Sequence, residues 1–322
     1  MSAEGGGPAS PAPRPPAVAD TFYPGPAGEL RRMVDVLLDA ADDAWPAPAD
    51  LDPARLAGIL VPHAGLVYSG IVAAAAWRLL PSAFAAVEVP GAPGVPRLPA
   101  RGGETRTIVL LGTNHRAAWL DGIGAWVGGP WRTPLGDVAV DDDLTERILR
   151  LGPPFAADSR CHLGEHSLEV QLPFIARLAP DARIVALAVG TGTGPPAIDA
   201  GERLGRLLAE RRAGGAAVLL AISSDMAHYP AASVATAVTT ALLPPILALD
   251  PAGLAVAEAE AAWSRPGVSC GMCGIEPAVL GLAALRALGA GVAFPLAAAT
   301  SADAGGDERR TVGYLAVGFA AA

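Results

Sequence analysis

Three uninterrupted apolar runs of strand length each lead into a histidine-bearing turn, and no other feature constrains this chain as much. Gly58-Ile59-Leu60-Val61-Pro62 runs into His63. Thr107 to Gly112 reaches His115 through Thr113-Asn114, and Ala217 to Ile222 reaches Asp225 and His228 through Ser223-Ser224. Short continuous apolar runs bounded by turn signals fit strands buried on both faces, as in a parallel sheet covered by helices. Stretches of helical spacing alternate with these runs. The expected fold is therefore α/β, a mainly parallel central sheet flanked by helices on both faces. In such sheets ligands bind outside the carboxyl ends of the strands. The chain carries only five histidines in 322 residues. Three at strand ends point to a metal or general-base site, imidazole being the commonest metal ligand.

The periodicity predicts helices over Glu29–Ala41, Ser69–Leu80 (with Ser69 as its cap), Asp142–Leu151, Ile198–Arg212, 231–248, 251–262 and Glu276–Leu288. A further helical pattern, Ser167–Leu178, is kinked or started by Pro173. Additional strands are expected at Gly124–Val127, Arg183–Val189, 291–298 and 312–319. Residues 1–16, rich in Gly, Ala and Pro, read as a disordered tail. Residues 17–322 read as one domain, with a Pro/Gly-rich inserted loop over 86–106.

The net charge of −9 argues against nucleic acid and anionic membranes as partners. All 23 basic residues are arginine, which excludes Schiff-base chemistry and the lysine of a phosphate-binding loop. Three cysteines, Cys161, Cys270 and Cys273, cannot form a disulfide framework and suit a reducing cytoplasm. No stretch reaches the roughly 20 apolar residues of a membrane span.

A lone strand-end histidine is usually a hydrogen-bonded structural residue; His63 and His115 gain weight as ligands because they share one sheet edge. Asp225 and His228, three apart, can face one pocket, the carboxylate orienting the imidazole as a general base or both reaching a metal. The alternative is an Asp that caps the next helix. Cys270 and Cys273 form a C-x-x-C pair in a small-residue loop opening a helix, where a thiol pKa is lowered. One such pair cannot build a four-cysteine zinc site; a redox dithiol or packed inert thiols remain. His162-Leu163-Gly164-Glu165-His166 spells the H-x-x-E-H of inverted zinc peptidases, but Gly164 interrupts the helix that motif needs. Glu165, His166 and Glu169 are then candidates to line a pocket.

Taken together these residues resemble the MEMO-like family, including bacterial and archaeal proteins labelled AmmeMemoRadiSam system protein B. The matching pieces are Arg14–Ala19 with Phe22-Tyr23-Pro24, Val61–Gly65 with Tyr68-Ser69-Gly70, Leu111–His115, and Thr133–Gly136. Glu165–Phe174, Ser223–Tyr229, Cys273-Gly274 with Pro277, and Val312–Tyr314 complete the series. Asp20 stands where the family pattern has glycine, and Thr113 where it has proline.

The resemblance implies a fold shared with class III extradiol dioxygenases, in which two histidines and a glutamate hold Fe(II). By motif, His63 and His115 would be the histidine ligands, Cys273 the third ligand, and His228 the base with Asp225 beside it. Glu165, His166, Tyr68 and Asn114 would surround substrate or ligands. Cysteine in place of the carboxylate softens the site toward copper or zinc. The expected function is a metal-dependent, dioxygenase-like oxidoreductase. A non-catalytic protein binding metal or a peptide in the same cleft is the alternative, and a metallohydrolase a weaker one. The family label implies a functional link to a radical-SAM protein.

Overall fold

The computed structural model describes residues 12–85, 105–265 and 267–322. Its strands are β1 (Leu56–Val61), β2 (Arg106–Thr113), β3 (Gly122–Ala125), β4 (Trp131–Thr133), β5 (Gly136–Val140), β6 (Phe155–Ala157), β7 (Arg183–Gly190), β8 (Ala217–Ser223), β9 (Ala290–Thr300) and β10 (Gly313–Ala321). Its helices are α1 (Ala27–Ala44), α2 (Leu66–Trp77), α3 (Leu80–Ala85), α4 (Asp142–Leu149), α5 (Leu172–Leu178), α6 (Pro195–Ala213), α7 (Ala232–Leu247), α8 (Pro251–Ser264) and α9 (Ile275–Leu288).

Side chains alternate across a strand, so each apolar run feeds two cores. Ile59 and Val61 of β1, Ile108 and Leu110 of β2, and Leu219 and Ala221 of β8 pack toward α1, α2, α3 and α5. Their neighbours Leu60, Val109, Leu111, Leu220 and Ile222 pack toward α4, α6, α7, α8 and α9. Helices cover both faces, as expected.

The sheet order is β4-β5-β7-β2-β8-β1-β10-β9, with β3 and β6 branching from β7. The run β5-β7-β2-β8-β1 is parallel. The contacts β1–β10, β10–β9, β3–β7 and β4–β5 are antiparallel. The sheet is therefore mixed: "mainly parallel" holds for its centre and fails at both margins. A short turn joins β4 to β5, and such a link can only reverse the chain.

Several boundaries differ from expectation for local reasons. α2 starts at Leu66, one turn before Ser69, because Gly65 is its N-cap and the Ser69 hydroxyl donates back to the Ala64 carbonyl at 2.8 Å. Pro173 marks a start: α5 opens at Leu172 with Pro173 in its first turn, after a single 3-10 turn over Glu169–Gln171. Arg14, assigned to the tail, is fully buried, so residues 12–16 belong to the fold. Residues 1–11 and most of the expected 86–106 loop lie outside the described residues. The stretch Leu66–Phe84 is long and apolar enough to cross a membrane by length and composition, but the fold buries most of it.

Candidate metal centre

β8 lies between β1 and β2, and parallel register sets Val61 and Gly112 both beside Ser223. The chain thus leaves all three strands at one level, and their turns deliver His63, His115, Asp225 and His228 to one crevice. Cys273 arrives from the loop before α9. That loop is pinned by Cys273 N–H donating to the Asp225 carbonyl at 3.2 Å and Gly274 N–H to Ser224 Oγ at 2.8 Å. Glycine is required at 274: a Cβ there would sit 2.5 Å from Ser224 Cβ.

One donor atom from each of His63, His115 and Cys273 lies within 4.8 Å of the others. Cys273 Sγ is 3.2 Å from His63 Nε2. His115 Nδ1 lies 2.9 Å from Glu165 Oε1, which leaves its Nε2 for the crevice. The His63 and His115 rings are 5.3 Å apart and nearly perpendicular. Two further triplets meet the same distance test, His115-Glu165-His166 and Asp225-His228-Cys273. Two nitrogens and a sulfur converging from three loops suit a borderline or soft cation. Two imidazole nitrogens at this crevice, His166 Nδ1 and His228 Nε2, are buried with no hydrogen-bond partner. The donor set fits a metal ion.

Burial sets the protonation states. It pushes His63 down to about 3, with His115 adding to the effect, and His166 down to about 4. His228 is also lowered by burial, against the opposing pull of Asp225. These imidazoles are therefore neutral near pH 7 and keep a lone pair. Burial works to raise Glu165, but the His115 side chain and the Ser167 and His115 N–H groups outweigh it and hold the carboxyl at about 2. Asp225 is raised by burial. The expected lowering of the Cys273 thiol by the helix start is overturned: burial, with the Asp225 charge, pushes it well up. Metal coordination deprotonates such a thiol outright.

Asp225 does not chiefly orient His228. Its Oδ1 accepts from the backbone N–H of His63 (2.7 Å) and Ala64 (3.2 Å), while Oδ2 stands 3.8 Å from His228 Nε2, too far for a hydrogen bond. Asn114 closes its own turn, exchanging hydrogen bonds with the Ala117 backbone. Tyr68 is about half exposed on α2. His166 stacks on His115 at 4.6 Å and touches Phe22. The peptidase string does not assemble: His162 sits in a 3-10 turn, donates from Nε2 to the Gly124 carbonyl at 2.9 Å, and packs between Trp126 and Trp131. Cys270 belongs to none of the three triplets. Glu276 accepts from Gly192 N–H.

Glu169 lines no pocket. Its buried carboxylate accepts from Arg14 (2.6 Å), the Ala17 and Val18 N–H groups, and the Tyr23 hydroxyl. Arg14 also donates to the carbonyls of His162 and Glu165, at 2.8 and 2.7 Å. One signal of this clamp is legible in the sequence, the Arg14-Pro15-Pro16 segment within the family match; a lone arginine beside a Gly/Pro tail reads as exposed.

The Memo-like protein family model matches residues 14–318. The chain belongs to the Memo-like family. It is 33% identical to a MEMO1 family protein of Methanothermobacter thermautotrophicus, over 94% of this chain and 98% of the relative. It is equally identical, at 33%, to one from Aquifex aeolicus, over 95% and 98%. A crystal structure of an uncharacterized protein from Escherichia coli K12 aligns over 82% of this chain and 99% of its own, with 16% identity and a TM-score of 0.45.

Proposed function

We propose that the crevice is a mononuclear metal centre held by His63, His115 and Cys273, with Fe(II) as its first candidate and copper or zinc as alternatives. The observation that carries this reading is the convergence of two imidazoles and a thiol, their donor atoms within 4.8 Å of one another. When bound, such an ion supplies Lewis acidity and, for iron, redox chemistry. The chain's own residues do the rest. His228, neutral because buried, accepts a proton from a substrate hydroxyl. Asp225, 3.8 Å away, stabilises the resulting imidazolium. Asp225 also holds the His63 backbone, so proton acceptance and ligand placement share one carboxylate. The fold relation implied by the family suggests a small chelating aromatic as substrate, in a dioxygenase-like oxidation. The three free thiols suit a reducing cytoplasm.

A second reading is favoured by Cys273 itself. A thiolate where dioxygenases carry a carboxylate suits metal handling, or a cleft that binds a peptide, as well as catalysis. In either case the family label suggests a functional association with a radical-SAM protein. The metallohydrolase reading loses its footing with His162 turned away.

Anaerobic purification without a tag, followed by elemental mass spectrometry beside His115→Ala, tests the proposal. Near-stoichiometric iron that disappears in the variant supports the oxidoreductase reading and leads to oxygen-uptake assays on catechols. Copper or zinc supports metal handling. No metal after reconstitution with Fe(II), Cu(I) and Zn(II) overturns the centre.

A further inference from the structure

We propose that the segment Glu165–Gln171 is one scaffold locking both His63 and His115 in the same tautomer, with the proton on Nδ1 and the Nε2 lone pair facing Cys273. Ser223, Gln171 and Trp77 are the positioning residues for His63. The purpose of this lock rests on the metal-centre reading, but the tautomer itself does not.

The derivation starts from atoms that have no choice. Trp77 Nε1 can only donate, and it lies 2.8 Å from Gln171 Oε1. The amide of Gln171 is therefore oriented with Nε2 on the other side, where it donates to the Pro62 carbonyl (2.9 Å) and to Ser223 Oγ (3.0 Å). The Ser167 carbonyl can only accept, and it lies 2.6 Å from Ser223 Oγ, so the single hydroxyl proton points there. Ser223 Oγ has then given its only hydrogen away. Its contact with His63 Nδ1, at 3.1 Å, can exist only if Nδ1 carries the proton. His63 Nε2 is left with its lone pair, 3.2 Å from Cys273 Sγ.

The other imidazole is fixed from the same segment. The Glu165 carboxylate can only accept, so His115 Nδ1 donates to it at 2.9 Å, and in the neutral ring the lone pair is on Nε2. Ser167 joins the two halves. Its N–H donates to Glu165 Oε1 at 2.9 Å, and its carbonyl takes the Ser223 proton. Its own hydroxyl donates to the Thr113 carbonyl at the end of β2. Residues 165, 167 and 171 thus act inward, while Glu169 anchors the segment to Arg14 and the chain leading to α1. The H-x-x-E-H resemblance is an accident of this spacing.

Outer-sphere partners of metal-bound histidines commonly affect affinity 10–100-fold when removed. Two measurements test the assignment. Nitrogen-15 NMR on metal-free protein labelled at histidine reads the tautomer directly, with His63→Gln to assign the signal. Neutral His63 protonated at Nδ1 is expected; protonation at Nε2 overturns the proposal. Titration with Co(II) alone, followed by its thiolate and d–d absorption bands, then reads the consequence. Ser223→Ala is expected to weaken Co(II) binding about 10–100-fold. Gln171→Met, which leaves the Ser223–His63 bond in place, is expected to weaken it less. Ser223→Ala with unchanged affinity and tautomer overturns the proposal. An Nδ1-protonated His63 in a protein that binds no Co(II) upholds the tautomer lock and sinks the metal-centre reading, so the two failures are distinct.

Discussion

Glu165 is the residue on which most of the crevice geometry turns. Its two oxygens accept four hydrogen bonds, from His115 N–H and Nδ1 and from the N–H groups of His166 and Ser167. Glutamine there would remove the charge and turn one acceptor into a donor facing N–H groups. Leaving buried donors unpaired costs about 1–3 kcal/mol. Glu165→Gln should therefore lose about that much stability in urea titration and bind Co(II) about 10–100-fold more weakly. Unchanged binding would show that the carboxylate does not set the His115 donor. Arg14 gives a second residue-scale test away from the crevice. Both partners of its ion pair with Glu169 are fully buried, and breaking such a pair by removing one member costs about 3–5 kcal/mol. Arg14→Met should lower the denaturation midpoint accordingly. A loss below about 1 kcal/mol, the scale of an exposed pair, would mean that the clamp is solvated in solution.

At the scale of elements, the helices and inner strands were legible because burial imposes a period. Leu30, Val34 and Ala41 mark the buried side of α1, and the continuous apolar runs become β1, β2 and β8. The marginal strands β4 and β5 alternate buried and exposed positions, with Arg132 and Asp137 outward, but at three and five residues they are too short for that alternation to stand out in sequence, and pairing direction is not written in composition. The candidate ligands were legible as strand-end residues and family motifs. Their supporting hydrogen bonds were not, since Gln171 and Ser223 are separated by 52 positions and meet only through the fold. Asp20 shows the reverse case: where the family pattern has glycine, its φ is 63°, a left-handed conformation that explains the pattern. A comparable constraint joins α6 to α9. A Cβ on Gly201 or Gly205 would lie 2.2 Å from the carbonyl oxygen of Leu280 or Ala284. Gly205→Val should force the helices apart and cost about 1–3 kcal/mol or more, read as a lower melting temperature. Wild-type stability in this variant would show that the helices separate without loss.

Across the whole molecule, burial of imidazole ties stability to pH. His63, His162, His166 and His228 all have folded pKa values below the unfolded value near 6.5, with His63 at about 3 and His162 and His166 at about 4. A depressed histidine pKa means that the unfolded chain takes up protons first as pH falls. The stability is thus present above about pH 6.5 and lost progressively between about 6.5 and the folded values. Each histidine contributes a slope of up to about 1.4 kcal/mol per pH unit inside that window. Glu165, held at about 2, adds loss only below the unfolded carboxylate range near 4.3, so histidine governs the interval from 6.5 to 5. His162 isolates the effect from any metal. Its Nε2 is bonded to Gly124, its Nδ1 is buried without a partner, and nearby Arg14 further disfavours the charged ring. In chelator-treated protein, urea midpoints should fall steadily from pH 7 to pH 5. His162→Gln, which retains a donor for the Gly124 carbonyl, should flatten that fall by about 1.4 kcal/mol per unit at most. A wild-type profile level across this interval would mean that the histidines are hydrated in the native state, and the buried network drawn around them would have to be abandoned.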